Sequence, residues 1–132
     1  MLNRDATEWS CNDPIIDAEH AKLHQLVSSL TAVVMNDHGT GLTEEAIDIL
    51  RERMRLHFGL EEEEACRHDT DAARILRVDH AELQSQLEAL RREMVDYDPV
   101  VTRQSLRNFV AALKKHDSEV DVPLFRMMKR SI

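Results

Sequence analysis

Four segments of this chain repeat apolar residues in alternating steps of three and four, and each stripe carries a histidine. The first runs Ile16, His20, Leu23, Val27, Leu30, Val34, and the second Leu50, Met54, His57, Glu61, Glu64, His68. The third runs Leu76, His80, Leu83, Leu87, Leu90, Met94, and the fourth Leu106, Phe109, Leu113, His116. Such steps keep side chains on one face of an α-helix, so the pattern dictates amphipathic helices. It also places a histidine in each segment at a position reserved for the core.

The punctuation between the stripes delimits the helices. Asp13-Pro14 sets a capping side chain before a proline at the first helical position, and His38-Gly39 ends the first helix into a Gly-Thr-Gly loop. Thr43 is placed to cap the second helix, which runs to about Arg67 before the polar turn His68-Asp69-Thr70-Asp71. The third helix runs to about Asp96, and Tyr97-Asp98-Pro99 separates it from the fourth, which Pro123 stops or kinks just after Asp121. Short connections make sequential helices antiparallel neighbours. The expected fold is therefore all-α: an up-down-up-down four-helix bundle with a short N-terminal arm and a short C-terminal tail. The 132 residues suffice for one core and form a single domain over 1–132. With 32% charged and 4% aromatic residues, three Gly and three Pro, composition favours long helices over sheet.

Surface histidines scattered through a charged chain would not keep to the seams. A single core histidine is usually only a hydrogen-bonded one, but here four are joined by two carboxylates. Glu61 lies one turn beyond His57, at i and i+4 on the same face, and Asp121 follows His116. Buried charge costs several kcal/mol unless it is paired or bound to metal. Imidazole nitrogens and bridging carboxylate oxygens converging inside a bundle suit a pair of borderline transition-metal ions, iron above all.

The string Ile16-Asp17-Ala18-Glu19-His20, then His57-Phe58-Gly59-Leu60-Glu61-Glu62, then His80, then His116 followed by Asp121, resembles the bacterial hemerythrin family. Trp9 fits as well, and the resemblance extends to about Leu124. It implies a four-helix bundle holding two iron ions in a non-haem, oxo- or hydroxo-bridged centre that binds dioxygen reversibly. His20 and His57 would serve one iron, His80 and His116 the other, and Glu61 and Asp121 would bridge them.

One family position departs. A further histidine stands four residues before the one matching His80, and this chain has Leu76 there. The change leaves one metal a ligand short and makes the set pseudo-symmetric, with two histidines on each ion. Glu64, at the height of Leu76 across the hairpin of the second and third helices, water, or His24 are the candidate replacements. Glu64 otherwise belongs to the solvated Glu61–Glu64 run, and His24 reads as a pocket or rim residue. His68 lies roughly 16 Å beyond His57 along the helix, at about 1.5 Å per residue, too far to share its metal. His38 reads as a helix C-terminal cation. Ala65 stands where the family often has methionine, which opens the pocket wall.

A formal net charge of −8 without a basic stripe argues against nucleic acid and anionic membranes as partners. There is no transmembrane run, and Met1-Leu2-Asn3-Arg4-Asp5 lacks an apolar signal core, so a cytoplasmic location is expected. Cys11 and Cys66 form no disulfide framework and read as two incidental thiols, with a redox role for the pair as the alternative. Cys66 falls on the face opposite the ligands. Three functional readings follow: a dioxygen-binding, storing or sensing protein; a di-iron enzyme acting on peroxide or nitric oxide; and a metal-storage or structural bundle holding one ion such as zinc. Dioxygen or another diatomic is the expected partner, and signalling would require a partner protein.

Overall fold

The computed structural model describes residues 11, 13–36, 42–93 and 98–130. Helix α1 spans Pro14–Met35, α2 Leu42–His68, α3 Thr70–Glu93 and α4 Pro99–His116. A π-helical turn over Asp117–Asp121 follows, and α5 spans Val122–Arg130. Each entry into α1, α3 and α4 is fixed by an aspartate. The Asp13 carboxylate accepts from the Ile15 and Ile16 amides at 3.0 and 3.2 Å, and Asp98 does the same for Val100 and Val101 at 2.9 and 3.4 Å. Asp69, the single residue between α2 and α3, accepts from Asp71 and Ala72 at 2.9 and 3.3 Å. Each cap satisfies amides that the first helical turn leaves without partners. Helix α2 already starts at Leu42, which puts Thr43 inside its first turn rather than at the cap. Trp9, the His38-Gly39 exit and Tyr97 lie outside the described residues.

Cross-helix pairs report the direction of each helix. From Asp48 to Glu62 along α2, the α3 partner falls from Arg91 to Arg77, with Arg51 to Glu88 between them at 2.6 Å. Likewise Ser105 of α4 donates to Glu93 of α3, whereas His116 pairs with Asp79, and on α1 His20 and His24 meet Asp121 and Asp117 in reverse order. Neighbours are therefore antiparallel, and the elements form the expected four-helix bundle. The exposed arginine–carboxylate pairs among them each add little stability, but they mark the register.

The interior has two apolar layers. The larger contains Leu23, Val27, Leu50, Met54, Leu87, Leu106, Phe109 and Leu113, among others. The smaller contains Cys11, Ile16, Ala65, Ala72, Ala73, Leu76, Phe125 and Met128. Ile16 and Leu76 precede His20 and His80 by one turn, and Ala65 and Phe125 follow Glu61 and Asp121 by one turn. In an antiparallel bundle those offsets all lead toward the same end. The histidines and carboxylates thus sit between two dry layers.

The short segment after Asp121 is helical. It continues as α5, whose Phe125 and Met128 are buried in the smaller layer. Pro123 does not end the helical path. The Val122 amide donates to the Asp117 carbonyl five residues back, and the proline then occupies the second position of a fresh helix, where its missing N–H costs nothing.

Candidate metal centre

The fold brings all six sequence-derived candidates into one layer. His20 comes from α1, His57 and Glu61 from α2, His80 from α3, His116 from the end of α4 and Asp121 from the π turn; all are buried, Glu61 and Asp121 completely. Glu61 Oε2 lies 2.9 Å from His20 Nε2, and its Oε1 lies 2.9 Å from His57 Nε2 and 3.6 Å from His80 Nε2. Asp121 mirrors this. Its Oδ2 lies 3.3 Å from His20 Nε2, and its Oδ1 lies 2.7 Å from His116 Nε2 and 3.8 Å from His80 Nε2. Two overlapping donor groups result, His20, His57, Glu61 and Asp121, and Glu61, His80, His116 and Asp121, with donor atoms within 4.8 Å of one another in each. Both carboxylates belong to both groups.

The π turn is what puts Asp121 there. At 3.6 residues per turn, five residues rotate a side chain about 140° beyond a full turn, which would aim Asp121 away from His116. A helix closed by i to i+5 hydrogen bonds brings such residues onto one face. The turn spans Asp117–Asp121, with His116 just before it and Asp121 as its last residue.

Further residues were not visible from the stripes. His80 Nδ1 donates to Glu62 Oε2 at 2.8 Å, and His116 Nδ1 donates to Asp79 Oδ2. A proton held on Nδ1 leaves Nε2 as the free donor facing the centre. Phe58 stacks on the His80 ring with centroids 3.9 Å apart and planes 10° from parallel. Buried Asp117 pairs with His24 at the rim. A carboxylate beside a candidate ligand, as in Glu61-Glu62 and Asp79-His80, was the available sequence signal. It did not reveal that Asp79 serves His116 on another helix.

Burial and charge compete in this layer, and the charges win. Burial disfavours the His20 cation, but hydrogen bonds to Asp121 and Glu61 outweigh it and raise its pKa to about 11. His116 is raised to about 9 despite burial, chiefly by Asp121 and Asp79, and His80 is raised by Asp121 and Glu61. Burial pushes the Glu61 carboxyl up, yet His20 and His57 hold it below the ordinary carboxylate range. Asp121 is lowered too, because His116, His20 and His80 overcome burial and the nearby Glu61 charge. The layer is thus a set of ionised carboxylates compensated by cations, protons being the simplest of them.

Other candidates fall outside both donor groups. Glu64 pairs with Arg67 at 2.6 Å and His68 at 3.2 Å, on the outer side of α2. The stripe there runs from Glu61 to fully buried Ala65, so Glu64 and His68 are not core positions. His24 is occupied with Asp117. Leu76 is fully buried in the smaller apolar layer, and among the described residues no polar side chain takes its place in either group. Both cysteines carry free thiols, Cys66 exposed and Cys11 buried with its Sγ 3.1 Å from Asp17 Oδ1.

The donors fit metal cations. His57 Nδ1 is buried with no hydrogen-bond partner, and Nε2 of His57, His80 and His116 face Glu61 and Asp121 oxygens at 2.7–3.8 Å without satisfying hydrogen-bond geometry, an arrangement that a cation among them would satisfy. Curated proteins and solved structures yield no match to this chain. A model of the hemerythrin HHE cation-binding domain matches residues 12–128, and the chain, with its buried histidine and carboxylate groups, belongs to that family.

Proposed function

We propose that this chain is a non-haem di-iron protein that binds dioxygen reversibly, for storage, transport or sensing. The observation that carries the reading is the position of Glu61 and Asp121, each reaching imidazoles of both donor groups. A carboxylate so placed is suited to bridging two ions, with His20 and His57 holding one and His80 and His116 the other. Two imidazoles and two shared carboxylate oxygens per ion are a donor set that iron accepts, and they leave coordination positions open. The iron pair would supply the electrons and the binding position for a diatomic molecule.

The protein's own contribution is to hold and to shield. Nδ1–H bonds orient His80 and His116, and Glu61 balances His20 against His57. Ile16, Ala65, Leu76 and Phe125 on one side, with Leu23, Met54 and Leu113 on the other, keep bulk water from the centre.

The test is iron reconstitution under anaerobic conditions, elemental analysis, and admission of oxygen followed by its removal. Two irons per chain with a near-ultraviolet absorption that appears and reverses is the expected outcome. One ion or fewer per folded chain would remove the di-iron reading; a colourless zinc-loaded protein would favour a structural role. Consumption of peroxide or nitric oxide with turnover would favour an enzyme.

A further inference from the structure

The two donor groups match in what faces the centre and differ in what stands behind it. In the α3–α4 group each imidazole is held from its far side by a carboxylate of a neighbouring helix: Glu62 of α2 at His80 Nδ1, and Asp79 of α3 at His116 Nδ1. In the α1–α2 group, His57 Nδ1 is buried with no hydrogen-bond partner, and His20 is engaged through Nε2. His57 also lines a surface groove of about 240 Å³ together with Glu19, Leu23, Arg53, Leu56 and Leu60.

We propose that Glu62 and Asp79 are positioning residues that make the His80/His116 side of the centre the tight half-site, leaving the His20/His57 side as the one that fills last and empties first. The inference rests on the two-ion reading above. A carboxylate on Nδ1 fixes the tautomer and ring orientation and raises the basicity of Nε2, and loss of such a partner typically costs about 10- to 100-fold in metal affinity. Phe58, stacked on His80 at 3.9 Å, restrains that ring sterically; it lies 6.0 Å from the His57 ring and 6.2 Å from His116 and so does not separate those two. His57 lacks the polar restraint and lines a surface groove, so an ion held there would have the weaker donor.

Cobalt(II) alone is a suitable probe, because its visible bands report each equivalent added. Wild-type protein is expected to take up two equivalents in two resolved steps. In His57→Ala the remaining tight equivalent belongs to the α3–α4 side, and adding Glu62→Ala or Asp79→Ala should weaken it by roughly 10- to 100-fold and shift its bands. Glu62→Gln, which keeps a hydrogen-bond acceptor without the charge, should lie between. In His116→Ala, where the α1–α2 side remains, the same two changes should leave affinity within about twofold. A chelator should remove one equivalent from wild type ahead of the other, and Glu62→Ala with Asp79→Ala should abolish that order. Equal weakening in both backgrounds, or none in the His57→Ala background, overturns the inference while two-ion binding stands. A folded wild-type chain that takes up fewer than two equivalents overturns both. Both carboxylates are partly exposed, and circular dichroism of the metal-free variants separates misfolding from a positioning effect.

Discussion

The bundle has two unlike interiors. Toward one end, Leu23, Val27, Leu50, Leu87, Leu106, Phe109 and Leu113 pack an apolar layer. Next to it, four histidines and two carboxylates fill the same kind of space with ionisable groups. The first region gains stability by removing apolar area from water, and that gain does not depend on pH or metal. The second carries desolvated charge, which stabilises nothing until a cation compensates it. The apolar layer therefore holds the bundle together whatever the conditions, whereas the contribution of the centre depends on which cation compensates its carboxylates, protons in the metal-free chain or a metal ion.

The largest effect that could break this division comes from the apolar layer. Phe109, 1% exposed, should lose about 3–5 kcal/mol of stability on Phe109→Ala, by transfer and cavity terms, with the number of ions bound per chain unchanged. Urea unfolding and metal titration of one preparation check both halves of that statement. A change in stoichiometry would show that the two interiors are coupled. In the centre, Glu61→Ala removes an oxygen donor from both groups, so uptake should fall by at least one ion. The metal-dependent rise in unfolding temperature should shrink with it; in wild type that rise corresponds to about 2.7 kcal/mol for each bound ion at a free metal concentration 100 times its Kd. His57→Ala should behave like Glu61→Ala, whereas His68→Ala should behave like wild type, because His68 is engaged with Glu64 outside the layer.

These contrasts also show what was legible in the sequence. The stripes located the helices and five of the six convergent residues because a buried helical face has a period that side chains must obey. The same rule failed beyond Glu61, where steps of three and four both continue the pattern. Extending it to Glu64 and His68 kept a histidine on the seam, but the packing of Phe125 and Met128 from α5 selects Ala65. That choice depends on a helix distant in sequence. Asp121 was named from its place after His116, yet no α-helical period accounts for its facing the centre; the π turn does. Glu62, Asp79 and Asp117 are ordinary charged residues in sequence, and only the cross-helix register gives them partners.

Acid and alkali should separate the two interiors further. In metal-free protein His20 and His116 have pKa values raised to about 11 and 9, so their contribution is fully present below the unfolded value of 6.5 and is lost as pH rises through the folded values. Glu61 and Asp121 are lowered, so their contribution holds above the unfolded carboxylate range and is lost as pH falls below it. Metal-free stability should therefore decline from neutral pH toward pH 11 and again in acid. Bound metal should remove the alkaline decline, since the imidazoles then serve the ion as neutral donors, and apparent metal affinity should rise with pH as protons leave. Urea midpoints from pH 4 to 11, with and without metal, decide the matter; a metal-free midpoint flat across the alkaline arm would mean that these imidazoles are not protonated in the folded chain.

The smallest expected effect probes the boundary between the centre and the smaller apolar layer. Leu76 lies one turn before His80 on the same face and is fully buried among Ala65, Phe125 and Met128. Leu76→His would add a third imidazole to the His80/His116 side at the cost of a polar group in a dry layer, about 1–3 kcal/mol in the absence of a partner. Metal-free Leu76→His should accordingly be less stable than wild type, and metal should restore most of the loss. Iron retention against a chelator should rise, and the oxygenated form should oxidise more slowly. Glu64→Ala should change neither quantity in either background, because Glu64 turns outward to Arg67 and His68. The four combinations of these two changes make the comparison. Should Glu64→Ala weaken iron binding only when Leu76 is present, Glu64 must swing inward to complete the centre. Should Leu76→His leave retention unchanged, two imidazoles already saturate that side, and the boundary between the layers is set by packing alone.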